Sequence, residues 1–267
     1  MCCQAYGGQA YGTPTPVMRP VDSAFAMVPP CSLVVVGGSG FVGGAVVALA
    51  SSSALWASVT SLSRSGTPST HPSIAGAQPA QVQYQAVDAL AEDGVARMAE
   101  AMRGADAVVI SVGFAPLPFV PYETQIKMNG TTNVNALEAA ALAGVKRAVL
   151  VNAAMAPPLA AVGIIPRGYY DGKIMAREAA RKFVDADPTV RFASCILPGP
   201  VYGQRAIGGG VSLPLGVAMA PAEMLLRAVA PAESTLATLT PVSVRRVAEA
   251  ALAAASGEGV GYHESAL

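Results

Sequence analysis

The chain has 267 residues, enough to bury one large α/β core with a small appended subdomain and no disulfide staples. Its 17 basic and 17 acidic residues cancel, which excludes the electrostatic footprint of a nucleic-acid binder. Only 13% of residues are charged against 52% hydrophobic, a balance that predicts surface buried against protein subunits or in peripheral contact with a membrane or lipid.

The cysteines Cys2, Cys3, Cys31 and Cys195 show neither C-x-x-C spacing nor a framework pattern, and His71 and His263 assemble no metal-ligand set. No metal is expected. Residues 1–30 are rich in Gly, Pro, Gln and Tyr, with Arg19 and Asp22 their only charges, and read as a tail or arm. They are poor in acids, as a transit peptide is, but lack its arginines and amphipathic helix.

Leu33 to Val36 is a β-branched run suited to a strand buried on both faces. Gly37, Gly38, Ser39, Gly40, Phe41, Val42 and Gly43 follow at once, then an Ala- and Val-rich segment that continues as a helix. Glycines at 37, 40 and 43 permit a sharp turn, close backbone approach to a pyrophosphate and tight helix packing, and the helix start aims its N–H groups at the phosphates. No charge occurs from Ser23 to Ser63, but the glycines split that apolar run into pieces too short to cross a bilayer.

Val59 to Leu62 predicts a second strand, with Ser63, Arg64 and Ser65 at its end. An acidic residue there would bind the ribose 2′-OH of NAD; Arg64 flanked by hydroxyls instead suits a 2′-phosphate, which favours NADP(H) while leaving NAD(H) open. Thr67 to Ala80 is a Pro/Ser-rich loop. Val82 to Val87 predicts a third strand ending at Asp88, whose carboxylate serves either an adenine amino group or the cap of the next helix, about Ala91 to Arg103. Asp106 to Val112 is the fourth strand, and its end, Ser111, Val112 and Gly113, offers bare backbone to a cofactor. A long helix from Glu123 to Ala143 stops at Gly144, and Ala148 to Val151 is the fifth strand. The alternation predicts a doubly wound, mostly parallel sheet in an α/β fold.

Tyr169 and Lys173, four apart at the start of a helix reaching about Val184, share one helix face. A cation beside a phenol lowers its pKa, so Tyr169 is the candidate proton donor or acceptor and Lys173 its partner, also able to bind a ribose. Phe192 to Leu197 predicts a sixth strand, followed by the turn Pro198 to Gly203. The segment 204–241 is rich in Gly, Met and Leu; Met219, Met224, Leu225, Leu226 and Val229 form either an apolar groove for a quinone or isoprenoid tail or ordinary core. A helix over Pro241 to Ala254 closes the chain, and Gly257 to Leu267 reads as a polar tail.

Four motifs in order, Gly37-Gly38-Ser39-Gly40-Phe41-Val42-Gly43, Asn129-Gly130-Thr131-Thr132-Asn133-Val134, Tyr169-x-x-x-Lys173 and Leu197-Pro198-Gly199-Pro200-Val201-Tyr202-Gly203, resemble the extended and atypical short-chain dehydrogenase/reductases. The resemblance spans about Leu33 to Leu252. Gly168 to Lys173 and Leu213 to Val217 are similar to NAD(P)-binding Rossmann proteins of plant and algal plastids and to a fungal dehydrogenase-like protein attached to coenzyme Q (ubiquinone) biosynthesis; the NADPH-binding accessory subunit of mitochondrial complex I is a more distant relative. This resemblance implies a Rossmann domain over 31–203, a lid over 204–267, and nicotinamide contacts from Pro198 and Val201. It also implies a serine at the end of the fifth strand, where this chain has Asn152, Ala153 and Ala154. The alanines offer no hydroxyl, and Asn152 substitutes only if its amide faces the nicotinamide. The expected protein therefore binds NADP(H) with little or no turnover, as an accessory or assembly subunit of an organelle membrane complex at the mitochondrial inner membrane, with a plastid as the alternative. The alternative is an active oxidoreductase on a hydrophobic carbonyl, alcohol or quinone-related substrate.

Overall fold

The computed structural model describes residues 31–70, 82–155, 157–206, 212–214, 216–229, 234, 239–257 and 259–267. The N-terminal arm and His71 lie outside these residues. Seven strands form the main sheet: β1 (Cys31–Val36), β2 (Trp56–Ser63), β3 (Val82–Ala86), β4 (Ala107–Ile110), β5 (Arg147–Val151), β6 (Phe192–Leu197) and β11 (Gly261–Ala266). Their order is β3-β2-β1-β4-β5-β6-β11, and every neighbouring pair is parallel. β4 and β5 are buried along their whole length, which is why their sequences, AVVI and RAVLV, are runs rather than alternations.

Helix α1 (Phe41–Ser51) covers one face together with α8 (Val244–Ser256), whose N-cap Ser243 accepts from the Arg246 N–H. The other face carries α2 (Gly94–Met102), α4 (Thr132–Leu142) and α6 (Arg167–Asp185). The long helix expected from Glu123 is interrupted: α3 (Tyr122–Ile126) passes through a π turn, Lys127–Thr131, before α4 begins. Short α5 (Pro157–Ala161) precedes α6. Beyond β6, β7 (Val201–Tyr202) pairs with β10 (Val242–Ser243), β8 (Gln204–Ala206) pairs antiparallel with β9 (Ser212–Pro214), and α7 (Gly216–Val229) follows. Glu223 of α7 accepts from the Tyr202 hydroxyl at 2.7 Å and faces Arg246 of α8.

The winding reverses between β1 and β4, so the crevice that such sheets reserve for ligands opens at the carboxyl ends of these two strands. One expectation is overturned. The polar tail after Gly257 is instead β11, in register with β6 from Gly261–Phe192 to Ala266–Leu197. Its polar sequence conceals a strand because one member, Glu264, is spent on α6: it accepts from Arg177 and Arg181, and from the Tyr262 hydroxyl at 2.6 Å. Thus β11 completes the sheet and α8 packs on it, while β8, β9, α7 and β10 are the described elements of 204–267 outside it.

Burial works to raise the pKa of Glu264, but the Arg177 guanidinium, helped by Tyr262 and Arg181, holds the carboxyl below its usual value. A depressed folded pKa contributes stability above the unfolded value and loses it as pH falls through the folded one. Glu264→Gln should therefore cost about 1–3 kcal/mol at pH 7. The deficit should shrink as pH falls below about 4.3, which thermal melts across pH would show.

Candidate functional site

At the switch point, Gly37, Ser39, Gly40, Ser63, Arg64, Asp88, Ser111, Val112 and Gly113 line one cleft. Gly37 takes φ +85°, and a Cβ there would lie 2.4 Å from the Ser111 carbonyl oxygen, so the exit of β1 passes under β4 only as glycine. Gly40 is the N-cap of α1, and no side chain caps that end. The start of a helix directs its first-turn N–H groups at an anion. A Cβ on Gly43 would fall 2.2 Å from the Gly37 oxygen, which seats α1 directly on the turn. Gly38, Phe41 and Val42 shape this cradle from behind: Gly38 backs onto Ser61, Val42 packs into the core, and the Phe41 ring abuts Gly203.

At the β2 end, the hydroxyl of buried Ser63 accepts the Gly66 N–H at 3.1 Å and lies 3.4 Å from Ser65, whose hydroxyl is 2.8 Å from that of Thr67. These hydroxyls flank the exposed Arg64 and form a polar lip suited to phosphate. Asp88 accepts from the Leu90 N–H at 2.9 Å; it closes a turn, while Asp93 occupies the N-cap of α2. Its role as a helix cap is excluded, and it stays on the cleft wall.

The far end of the cleft is built by α6 and the π turn. A Cβ on Gly130 would sit 3.0 Å from Met175 Sδ and 3.1 Å from Gly172 Cα, so the two backbones meet through glycines. This crossing buries Lys173 and sets its Nζ and Asn129 Oδ1 each 3.2 Å from where a Gly113 Cβ would be. Lys173 Nζ also lies 5.7 Å from the Tyr169 ring centroid. The predicted pair is therefore together, at the inner end of the cleft. Its electrostatics differ from the expectation: burial pushes the Tyr169 phenol up to about 12 and brings Lys173 down to about 8. Desolvation outweighs the benefit of the neighbouring cation.

Asn152 is turned elsewhere. Its Nδ2 donates to the Lys173 carbonyl at 2.9 Å and its Oδ1 accepts the Ala153 N–H at 2.9 Å, so the amide braces the end of β5 against α6 instead of presenting a donor to a carbonyl substrate. The Ala154 N–H donates to the Pro198 carbonyl at 2.8 Å. Both alanine amides are thus engaged, and Pro198 is tied to the loop after β5. Val201 pairs with Val242 beside it.

Sequence reasoning named Asn129 and Asn133 only as parts of a motif and missed Gln125 and the row of buried amides that the three form. Gln125 Nε2 donates to Leu117 and Val120 carbonyls at 3.1 and 2.9 Å, Asn129 Oδ1 accepts the Phe114 N–H at 2.9 Å, and Asn133 Nδ2 donates to the Val112 carbonyl at 3.2 Å. Asn129 and Asn133 also donate to the carbonyls four residues before them, Gln125 and Asn129. The spacing 125, 129, 133 was the signal available. Met128 and Thr132 complete the cleft lining between these amides. In α7, Met224 and Leu225 face solvent, and Met219 and Leu226 are half-buried; the side chain of Val229 lies outside the described residues.

The glycine cradle, the uncapped helix and the donor set fit a nicotinamide dinucleotide. Residues 37–185 match the family of NAD(P)H-binding proteins, and the chain belongs to it. An uncharacterised chloroplastic protein of Arabidopsis thaliana is 32% identical over 195 residues, which are 72% of this chain and 58% of that protein. The chain thus spans less than two thirds of this relative. Among solved structures, MoeE5 in complex with UDP-glucuronic acid and NAD superimposes with a TM-score of 0.61 at 17% identity, covering 88% of this chain and 75% of that one. UDP-glucose 4-epimerase from Bifidobacterium longum, in complex with NAD+ and UDP, gives 0.60 at 15% identity, covering 88% and 77%. These share the Rossmann fold. Among the described residues no cluster of metal ligands occurs.

Lys173 makes the site measurable without turnover. Between its folded pKa of about 8 and its ordinary value of 10.5, the unfolded chain holds a proton that the folded one has lost. Its contribution to stability therefore rises with pH across that window. Chemical denaturation should show this slope in the wild type relative to Lys173→Met.

Proposed function

We propose that the chain is an NADP(H)-holding protein with little turnover, serving as an accessory or assembly subunit of an organelle membrane complex. The observation that carries this reading is the contrast between the two ends of one cleft. The cradle for the dinucleotide is intact, from Gly37 to Arg64. At the other end, Ala153 and Ala154 supply no hydroxyl, their N–H groups are bonded within the protein, and the Asn152 amide is committed to Lys173. Losing one carbonyl donor costs on the order of a hundredfold or more in rate. Tyr169, pushed up to about 12, gives up its proton reluctantly at neutral pH.

The exposed Arg64 with its hydroxyl neighbours supports NADP(H) over NAD(H). The chloroplastic relative favours a plastid over the mitochondrial inner membrane. A bound dinucleotide would supply hydride chemistry; the chain's own part is to hold the phosphates on α1, to place the nicotinamide end against Gly113 and Lys173, and to exclude water through the 112–120 loop.

A second reading is an active oxidoreductase on a hydrophobic carbonyl, alcohol or quinone-related substrate. The juxtaposition of Tyr169 and Lys173 favours it. In that case Tyr169 exchanges the proton that accompanies hydride transfer, and Lys173 is its electrostatic partner.

Arg64→Ala should weaken NADPH binding on the order of ten- to a hundredfold, the worth of a charge-assisted hydrogen bond, and leave NADH unchanged. Fluorescence titration of both cofactors checks this, and equal losses would refute the 2′-phosphate role. Acid release from the purified native complex should yield NADP(H); no nucleotide there, together with no binding by the isolated chain, would overturn the holding function. Turnover that is abolished in Tyr169→Phe would favour the second reading.

A further inference from the structure

The lip that follows β2 holds a row of hydroxyls. That of Ser65 lies 3.4 Å from the Ser63 hydroxyl and 2.8 Å from the Thr67 hydroxyl. The row is held in place against β3: the Val87 N–H donates to the Ser63 carbonyl at 2.8 Å, and Gly66, at φ +63°, sits so close that a Cβ would lie 2.8 Å from the Ala86 nitrogen. Its two ends differ. Ser63 is buried and accepts the Gly66 N–H, whereas Thr67 is exposed and, among the described residues, its hydroxyl meets only Ser65.

Thr67 is followed by Pro68, which is also exposed. Proline biases the residue before it toward extended backbone, and residues 64–70 belong to no helix or strand, so the Thr67 hydroxyl is presented on an open segment. The other Thr-Pro pair among the described residues, Thr240-Pro241, is closed, because Thr240 is 4% exposed. Burial thus singles out Thr67 from two pairs that are alike in sequence.

We propose that Thr67 is a phosphorylation site that sets the cofactor preference of the cleft. A proline-directed kinase passes the γ-phosphoryl group of ATP to Thr67 Oγ1. The new O–P bond forms as the bond from that phosphorus to the bridging oxygen breaks; ADP leaves with the electron pair, and the hydroxyl proton goes to the kinase's catalytic carboxylate. The product places about two negative charges and strong acceptor oxygens in the row that flanks Arg64. It occupies the Arg64 guanidinium and the Ser65 hydroxyl that a ribose 2′-phosphate would use, and it repels that phosphate as a like charge. A ribose 2′-hydroxyl carries no charge to repel, so NAD(H) binding is spared. The inference rests on the reading of Arg64 as the 2′-phosphate contact and adds a means of switching that contact off.

The test treats the full chain with ATP and a proline-directed serine/threonine kinase, maps the phosphate by mass spectrometry, and titrates NADPH and NADH by fluorescence before and after. Phosphate should appear on Thr67, and NADPH should then bind on the order of ten- to a hundredfold more weakly while NADH holds. Alkaline phosphatase should restore NADPH binding. Thr67→Ala should show no weakening on kinase treatment, which separates Thr67 from phosphate taken up elsewhere in the chain. The proposal is overturned if Thr67 stays unmodified, if the phosphorylated chain binds NADPH as before, if NADH is weakened equally, or if Thr67→Ala responds like the wild type. Failure of the Arg64 reading is visible before any kinase is added: the unmodified chain would then bind NADPH no more tightly than NADH, and the inference would fall with it.

Discussion

Helix α6 lies directly on the π turn because Gly172 and Gly130 face each other, and a methyl group on either would have to displace backbone or Met175. Much of the far end of the cleft depends on this crossing. It carries Lys173 under the backbone at Gly113 and brings Tyr169 within reach of it. The π turn in turn alters the carbonyl pairing along α3 and α4, and the side-chain amides of Asn129 and Asn133 bond to carbonyls four residues back. A π turn at a ligand site is common for this reason: it trades helical regularity for a chosen side-chain direction. Here the gain is a row of buried amides that holds the loop 112–120 as a fixed wall.

The same burial that makes this end rigid weakens its acid–base chemistry. Low polarity raises the Tyr169 phenol and lowers the Lys173 ammonium, because both changes avoid a charge without water. A hydroxyl donor nearby would offset the effect in a transition state by stabilising developing negative charge. Ala153 and Ala154 provide none, and Asn152 is occupied in bracing α6. The phosphate end has no such conflict. On the proposed reading its demands fall on backbone N–H groups, glycines and one exposed arginine.

The molecule is also polar in the geometric sense. A parallel sheet separates the loops that follow its strands from those that precede them, and in this chain the two sets differ in chemistry. The first set holds the cleft, with Gly37, Ser63, Arg64, Asp88 and Gly113 on its walls; the second holds the short returns into the strands, such as Asp106, which accepts from Ser32 before β4. At the last strand the ion cluster of Glu264 with Arg177 and Arg181 ties β11 to the helix that bears Tyr169 and Lys173, so closing the sheet and steadying the site are one act.

Local sequence was sufficient for the order of β1 to β6, for the glycine turn and for the Tyr169–Lys173 pair, because β-branched runs, glycine clusters and an i, i+4 spacing act within a few residues of chain. It was insufficient wherever a residue's partner lies far along the chain. Strand β11 is polar in isolation and becomes a strand through β6 and through arginines more than 80 residues earlier. Asn152 offered a donor on paper, and only the packing of α6 showed where that donor goes. The proximity of Lys173 to Tyr169 was legible from spacing, whereas the direction of the tyrosine's pKa was not: burial is a property of the assembled core, and it outweighs a neighbouring charge that the sequence alone placed correctly.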